Sequence, residues 1–170
     1  DNSHINESER CYECFWLKKC YQCYFTIMSA DSRNLIFCRD CLGCDDCFGC
    51  VNLRKKSYCI FNKQYSKKEY FEELNKMNMD TISGITKARE QARNFWGTQI
   101  TRHQQGIRNL NSTGSYVTEC KNVNDSYLIR DSENMRYCQY MQVPGNKDNY
   151  DVANWGQNTE LCYEAMECGE

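Results

Sequence analysis

The sequence is poor in the residues that catalysis most often uses. Only two histidines, His4 and His103, occur in 170 residues. The first lies in a polar terminal stretch and the second on a helical one, and neither stands beside a nucleophile motif. A phosphate-binding loop, G-x-S-x-G and H-E-x-x-H are all missing. Asp45-Asp46 is the nearest approach to a carboxylate pair, but adjacent residues at a corner point to water. These absences predict a chain that is not an enzyme and takes no cofactor. The net charge is −2, with acids and bases intermingled, which excludes a global field that would gather nucleic acid or an acidic membrane surface. No apolar run approaches the ~18 residues of a membrane span. The polar start "DNSHINESER" has no targeting character and no initiator Met, and reads as a cut from a longer chain.

Cysteine, by contrast, is abundant: fourteen in 170 residues, enough for a disulfide framework in a secreted protein or for metal or buried thiols in a reducing compartment. Placement is more informative than number. Every third residue from Ile5 to Cys59 is small or apolar except Lys56, and all ten cysteines before residue 60 fall on that one phase. An α-helix cannot hold a strict period of three on one face, and a plain strand needs a period of two. A narrow β-solenoid can, because short strands alternate with tight corners. Twelve residues per coil brings "CYEC", "CYFT", "LIFC", "CFGC" and "CIFN" into register. The residues after the inward position, Tyr12, Tyr24, Ile36, Phe48 and Ile60, then form an outward ladder. Residues such as Arg39 and Asp40 fall outside.

From Gly114 the same period resumes in a different phase. It runs to Met141, breaks at Pro144 and Lys147, and continues through Tyr150, Ala153, Gly156, Thr159, Cys162, Ala165 and Cys168. Val117, Ile129, Met141, Ala153 and Ala165 stack at twelve-residue spacing, as do Asn122-Val123 and Asn134-Met135. Between the blocks the signals are helical. Ser66 and Glu69 form a capping box before Tyr70, Phe71, Leu74 and Met77. A second helix, about Thr81 to about His103, carries Ile82, Ile85, Ala88, Ala92, Phe95 and Ile100. The fold class predicted is therefore mostly β: a narrow β-solenoid over 1–62 and 111–170, interrupted by an α-helical hairpin within 63–110 whose apolar stripe lies on the solenoid flank.

The run "CFGCVNLRKKSYCIFNKQYSKKEYFEEL", Cys47 to Leu74, with "ELCYE" at Glu160 to Glu164, resembles the signature of a family of uncharacterised Cys-rich C-x-x-C repeat proteins of environmental bacterial lineages and their viruses. The resemblance covers most of the chain and implies no activity. Longer members of that family carry an upstream zinc-ribbon-like segment that this chain lacks. The coil arithmetic is also similar to that of beetle antifreeze proteins, but their flat rank of Thr-x-Thr is missing, which argues against ice binding.

Two cysteine sets have zinc-ligand spacing: Cys11, Cys14, Cys20 and Cys23, and Cys38, Cys41, Cys44 and Cys47. The thiols run on past four, however, and share equivalent slots with Leu, Ser and Thr. Buried cysteine packing as a small hydrophobe accounts for all fourteen: these eight with Cys50, Cys59, Cys120, Cys138, Cys162 and Cys168. Residues six apart could be bridged across a narrow coil, yet Leu17 and Leu35 occupy slots that a strictly stapled coil would reserve for sulfur. Reduced thiols are expected, and with them an intracellular or virion-associated origin. Arg54, Lys55, Lys56, Lys63, Lys67 and Lys68, among Tyr58, Phe61 and Tyr65, form a basic edge. Nearby Glu69, Glu72 and Glu73 make it a solvated surface before a nucleic-acid grip. The function expected is a non-catalytic scaffold with protein partners on its face or helical hairpin, and with open ends able to assemble; a zinc, carbohydrate or nucleic-acid binding module is the alternative.

Overall fold

A computed structural model of the chain describes residues 2–100 and 104–169. It is mostly β with two helices, and it divides into two compact units, Asp1–Ile100 and Thr101–Glu170. His103 lies outside the described residues.

In the first unit, β1 (Ser3–Asn6), β2 (Phe15–Lys18) and β3 (Ile27–Ala30) pair in parallel. So do β4 (Arg33–Ile36), β5 (Asp45–Phe48) and β6 (Ser57–Ile60). Every one of these pairings joins residues twelve apart, as in Leu17↔Ser29 and Cys47↔Cys59. Single bridges continue the same spacing between the strands, for example Tyr21↔Arg33 and Arg39↔Val51. A short antiparallel strand, β7 (Lys63–Gln64), folds back on β6 and ends the series.

The period of three has a backbone cause. In each triplet the first residue donates its N–H to a carbonyl eleven residues ahead, as Tyr21 does to Ser32 (3.0 Å). The second donates to a carbonyl thirteen residues behind, as Gln22 does to Glu9 (3.0 Å). That second residue is left-handed almost without exception from His4 to Phe61, with φ near +50°. One left-handed residue per triplet turns the chain, so the same inward direction returns every third residue instead of every second. Non-glycine residues pay roughly 1 kcal/mol or more for that conformation, and the two ladder hydrogen bonds per triplet offset it. Asp, Asn and Gly, which tolerate it best, occupy the slot at Asp31, Asn34, Asp40, Gly43, Asp46, Gly49 and Asn52.

The third residue of each triplet faces inward. Cys14, Leu17, Cys20, Cys23, Leu35, Cys38, Cys41, Cys44, Cys47, Cys50 and Cys59 form one buried cluster, with Ile5, Cys11 and Leu53 packed at its margins. Lys56 occupies an inward phase but is exposed; its amine reaches solvent from the last rung of the series. Asp40 departs from expectation in the other direction. It is 5% exposed, with its carboxylate 3.4 Å from Arg39 Nε and its carbonyl accepting from Arg54.

Two helices, α1 (Lys67–Asn75) and α2 (Ile82–Thr98), follow β7. Ser66 caps α1 reciprocally: the Glu69 amide donates to Ser66 Oγ, and the Ser66 amide donates to Glu69 Oε2 (2.9 Å). Thr81 Oγ1 accepts from the Gly84 amide at the start of α2 (3.0 Å). Gly84 has no room for a side chain, since a Cβ there would lie 2.0 Å from the Asn78 carbonyl. Tyr70, Ala88 and Ala92 pack with Phe37, Phe48 and Ile60 in a second core cluster, flanked by Phe25, Ile85 and Trp96. This covers two of the five residues of the expected outward ladder and partly covers a third, Ile36. Tyr12 and Tyr24 stay exposed, but Phe48 and Ile60 are buried beneath the helices. Ile82 and Ile100, expected on the apolar stripe, face solvent instead, and Phe71 is part-exposed beside Tyr58 and Tyr70.

The second unit begins earlier than residue 111, because β8 (Gly106–Ile107) pairs in parallel with β9 (Gly114–Thr118). Next, β10 (Ser126–Arg130) pairs with β9 at the twelve-residue offset. Beyond it β11 (Ser132–Glu133) and β12 (Asn146–Lys147) are fourteen apart, and β13 (Tyr150–Gln157) and β14 (Tyr163–Gly169) are mostly thirteen apart. Two additional residues around Pro144 and Gly145 shift the inward phase. Val152, not Ala153, is the buried residue, and it pairs with Ala165. Asn146 and Asn149 turn inward where the uniform period placed Tyr150, which is exposed. Their polar groups are satisfied: Thr159 Oγ1 donates to Asn146 Oδ1 (2.8 Å) and accepts from Asn149 Nδ2 (2.8 Å).

Phe48→Ala is expected to cost about 3 to 5 kcal/mol, as truncation of a buried aromatic does, whereas Tyr12→Ala should stay within about 0.5 kcal/mol. Denaturant unfolding under reducing conditions checks both, and equal costs would contradict the burial of the ladder by the helices.

Candidate functional site

The thiols are the chemically distinctive groups, and the rungs bring them together from the inward slot of successive triplets. All fourteen are free, and eleven are buried. The three that are only half-buried, Cys11, Cys162 and Cys168, pack against the margins of the two core clusters.

Each buried thiol has a defined hydrogen-bonding place. Cys14 Sγ donates to the Tyr12 carbonyl two residues back (3.3 Å) and lies against the Cys23 carbonyl nine residues on (3.2 Å). Cys38 and Cys50 repeat this with Ile36 and Cys47, and with Phe48 and Cys59. The same atom can accept from the next rung: the Asn62 amide donates to Cys50 Sγ (3.4 Å). Ser29 and Ser32 show the slot's logic most clearly. Their hydroxyls accept from the amides of Cys41 (3.2 Å) and Cys44 (3.0 Å), twelve residues later. A short side chain with one donor and one acceptor therefore links each rung to its neighbours while excluding water. Cysteine, serine and threonine can meet that requirement; Thr26 Oγ1 donates to the Tyr24 carbonyl (3.1 Å) and lies against the Leu35 carbonyl (3.3 Å). Part of the cysteine role is thus hydrogen bonding in addition to apolar packing.

Burial disfavours the thiolate. It pushes Cys14 up to about 11 and holds Cys38 well above the usual thiol range. Cys59, Cys120 and Cys138 are raised for the same first reason. At Cys59 the Lys56 ammonium opposes this, but desolvation is the larger effect.

Cys38, Cys41, Cys44 and Cys47 sit in four consecutive inward slots, and Cys11, Cys14, Cys20 and Cys23 are spread over two rungs. Among the described residues no three His, Cys, Asp or Glu side chains converge as a metal site. His4 stacks on Trp16 (4.9 Å) and shares a hydrogen bond with Ser3 Oγ (2.7 Å). Asp45 and Asp46 are engaged by the rung below: Arg33 grips Asp45 through two nitrogens (2.6 and 3.1 Å), and Asn34 donates to Asp46 (2.9 Å).

The aromatics of the basic edge are engaged within the first unit. Tyr58 packs against Tyr70 and Phe71 of α1 (5.9 and 6.5 Å), and Phe61 against Phe95 of α2 (5.3 Å). Lys63 lies over Tyr65, and Lys68 faces Glu72. A cavity of about 160 Å³ opens between α2 and the first stack; of the charges lining it, Arg89 is paired with Glu13 (2.8 Å). Exposed aromatics remain in the second unit, where Tyr137, Tyr150 and Tyr163 follow one another with ring centroids 5.5 and 5.4 Å apart. An amide ladder escaped the sequence reading beyond its one pair: Asn111, Asn122, Asn134 and Asp148 bond in succession at 3.1, 3.0 and 2.7 Å. All four are left-handed, so asparagine at the second slot was the available signal. No helix among the described residues is long and apolar enough to cross a membrane. No family model, curated protein or solved structure matches the chain.

The hydrogen-bonding slot predicts that Cys50→Ser stays within about 1 kcal/mol of the parent, while Cys50→Val, similarly compact but unable to bond, costs about 1 to 3 kcal/mol by leaving the Asn62 amide without the acceptor that Cys50 Sγ provides. Reducing denaturation separates them, and the reverse order would show that only apolar packing matters. A second expectation follows from the raised thiols. The unfolded chain ionises near pH 8.5, before the folded one, so stability is full below that pH and falls as pH rises toward the folded values. Each thiol that burial raises, such as Cys14 or Cys38, removes up to about 1.4 kcal/mol per pH unit across that window. A Tm in reducing buffer that stays level up to about pH 10 would contradict their burial.

Proposed function

We propose that the chain is a non-catalytic scaffold, a rigid Cys-rich β-solenoid with a helical hairpin inserted on its flank. Its faces serve protein contact within a larger assembly. One observation carries this reading: the sulfurs and core hydroxyls, the groups best suited to chemistry, are taken up by hydrogen bonds from rung to rung. The outside carries side-chain columns such as Asn111 to Asp148 and Tyr137 to Tyr163. Tyrosine rings combine apolar area with a polar tip, which suits them to protein interfaces. The unbroken parallel offset of twelve in the first unit supports the solenoid reading. On this reading the thiols stay reduced, the setting is intracellular or within a virion, and the chain is placed with the Cys-rich repeat proteins it resembles.

Elemental analysis of protein purified under reducing conditions without added metal tests the proposal. We expect far less than one zinc per chain and unfolding unchanged by a strong chelator. Near-stoichiometric zinc, removed by chelation with loss of the β signal in circular dichroism, would replace the scaffold by a metal-binding module.

A further inference from the structure

In the first unit a column of the stack and a face of α2 enclose a cavity whose lining follows from two periods. Glu13, Phe25, Phe37 and Gly49 hold the same left-handed slot on four successive rungs, twelve residues apart, so their side chains fall in one column on the flank. Arg89, Arg93 and Trp96 stand at i, i+4 and i+7 of α2, which puts them on one helix face. Column and face meet along a cavity of about 160 Å³. Its two ends are fixed within the unit. At one, Arg89 pairs with Glu13 (2.8 Å) and lies over the Phe25 ring (4.8 Å). At the other, Trp96 Nε1 donates to the Gly49 carbonyl (3.3 Å). Between them the Phe25 and Phe37 rings stack with centroids 4.6 Å apart and planes 9° from parallel.

The charges that line this cavity do not cancel. Glu13 neutralises Arg89, whereas the Arg93 guanidinium makes no ion pair, hydrogen bond or ring contact among the described residues. One cation without a partner therefore stands beside aromatic walls. A carboxylate matches it, because the planar guanidinium offers two parallel N–H donors to two oxygens. An aromatic ring matches the walls, since flat rings pack against one another in offset or edge-to-face contact. Volume sets the upper limit: a cavity of about 160 Å³ holds one ring with a short acid arm and is too small for a nucleotide. We propose that this cavity is a binding site for a small aromatic carboxylate, whose ring lies among Phe25, Phe37 and Trp96 and whose carboxylate pairs with Arg93. Such a site neither requires nor excludes the scaffold role, since it takes up one flank of the stack.

The test titrates the reduced, isotope-labelled chain with phenylacetate, followed by NMR, with neutral phenylacetamide as the matched control. Phenylacetate should shift the Trp96 indole N–H and the backbone amides of Phe25 and Phe37 in one saturable process, and phenylacetamide should bind about tenfold more weakly for want of the charged hydrogen bonds. Arg93 is exposed, so Arg93→Gln leaves the fold intact; it should weaken phenylacetate by about tenfold and leave phenylacetamide unchanged. Glu13→Gln frees Arg89 as a second cation and should tighten phenylacetate severalfold. The inference is overturned if phenylacetate produces no saturable shift at the Trp96 indole, or if phenylacetamide binds as well as phenylacetate does. It is also overturned if Arg93→Gln binds phenylacetate as tightly as the parent, or if Glu13→Gln binds it more weakly.

Discussion

The first unit depends on how the backbone N–H groups are satisfied between segments of chain eleven and thirteen residues apart. A first-slot amide reaches forward and a second-slot amide reaches back, and the two together hold each rung against the next. In the first unit that arrangement places a left-handed residue in each triplet, and third-slot amides such as those of Cys41 and Cys44 turn to side-chain acceptors. Where the inward residue twelve positions earlier is Ser29 or Ser32, its hydroxyl accepts that amide, and the sulfur of Cys50 does the same for Asn62. The unusual composition follows from this third bond. A residue filling the slot must be short, must exclude water, and is best able to donate and accept once each.

The consequences for chemistry run against first impressions. C-x-x-C spacing ordinarily suggests metal because two thiolates on one turn can share an ion. Here the same spacing is the step of a backbone repeat, and its thiols point into a core where burial raises the pKa of Cys14 and Cys38. If the stack is a solenoid, its stability is a sum of neighbour contacts, and damage at one inward slot weakens the rungs on both sides. The helices add a second core of a different kind, built from large aromatics on the flank and not from small side chains within.

Much of the first unit was legible in the sequence because its repeat is uniform: the phase that gathers the cysteines is the phase that is buried, and the twelve-residue offset is the offset of every parallel pair. The capping box at Ser66 and Glu69 was equally plain, being a local hydrogen-bond pattern. The second unit was harder. Residues around Pro144 and Gly145 lengthen one rung by two, and a period extended across that insertion selects Tyr150 and Ala153 where the chain buries Asn149 and Val152. Long-range cover was also invisible. Nothing near Asp40 in sequence announces that Arg54 lies over it, and nothing near Phe48 or Ile60 announces the helices. The left-handed slot left a trace in Asp31, Asn34, Asp46 and Asn52, but Phe25, Phe37 and Phe61 share it and mask the preference.

The backbone pairing can be observed directly. Scalar couplings transmitted through N–H···O=C hydrogen bonds, recorded by NMR on the reduced, isotope-labelled protein, identify donor and acceptor residues without reference to side chains. The account predicts couplings from the Tyr21 nitrogen to the Ser32 carbonyl and from the Gln22 nitrogen to the Glu9 carbonyl, and the same pair of offsets at Tyr24, Phe25, Arg33 and Asn34. Couplings between residues four apart in this stretch, or cross-strand couplings of antiparallel sense, would contradict it.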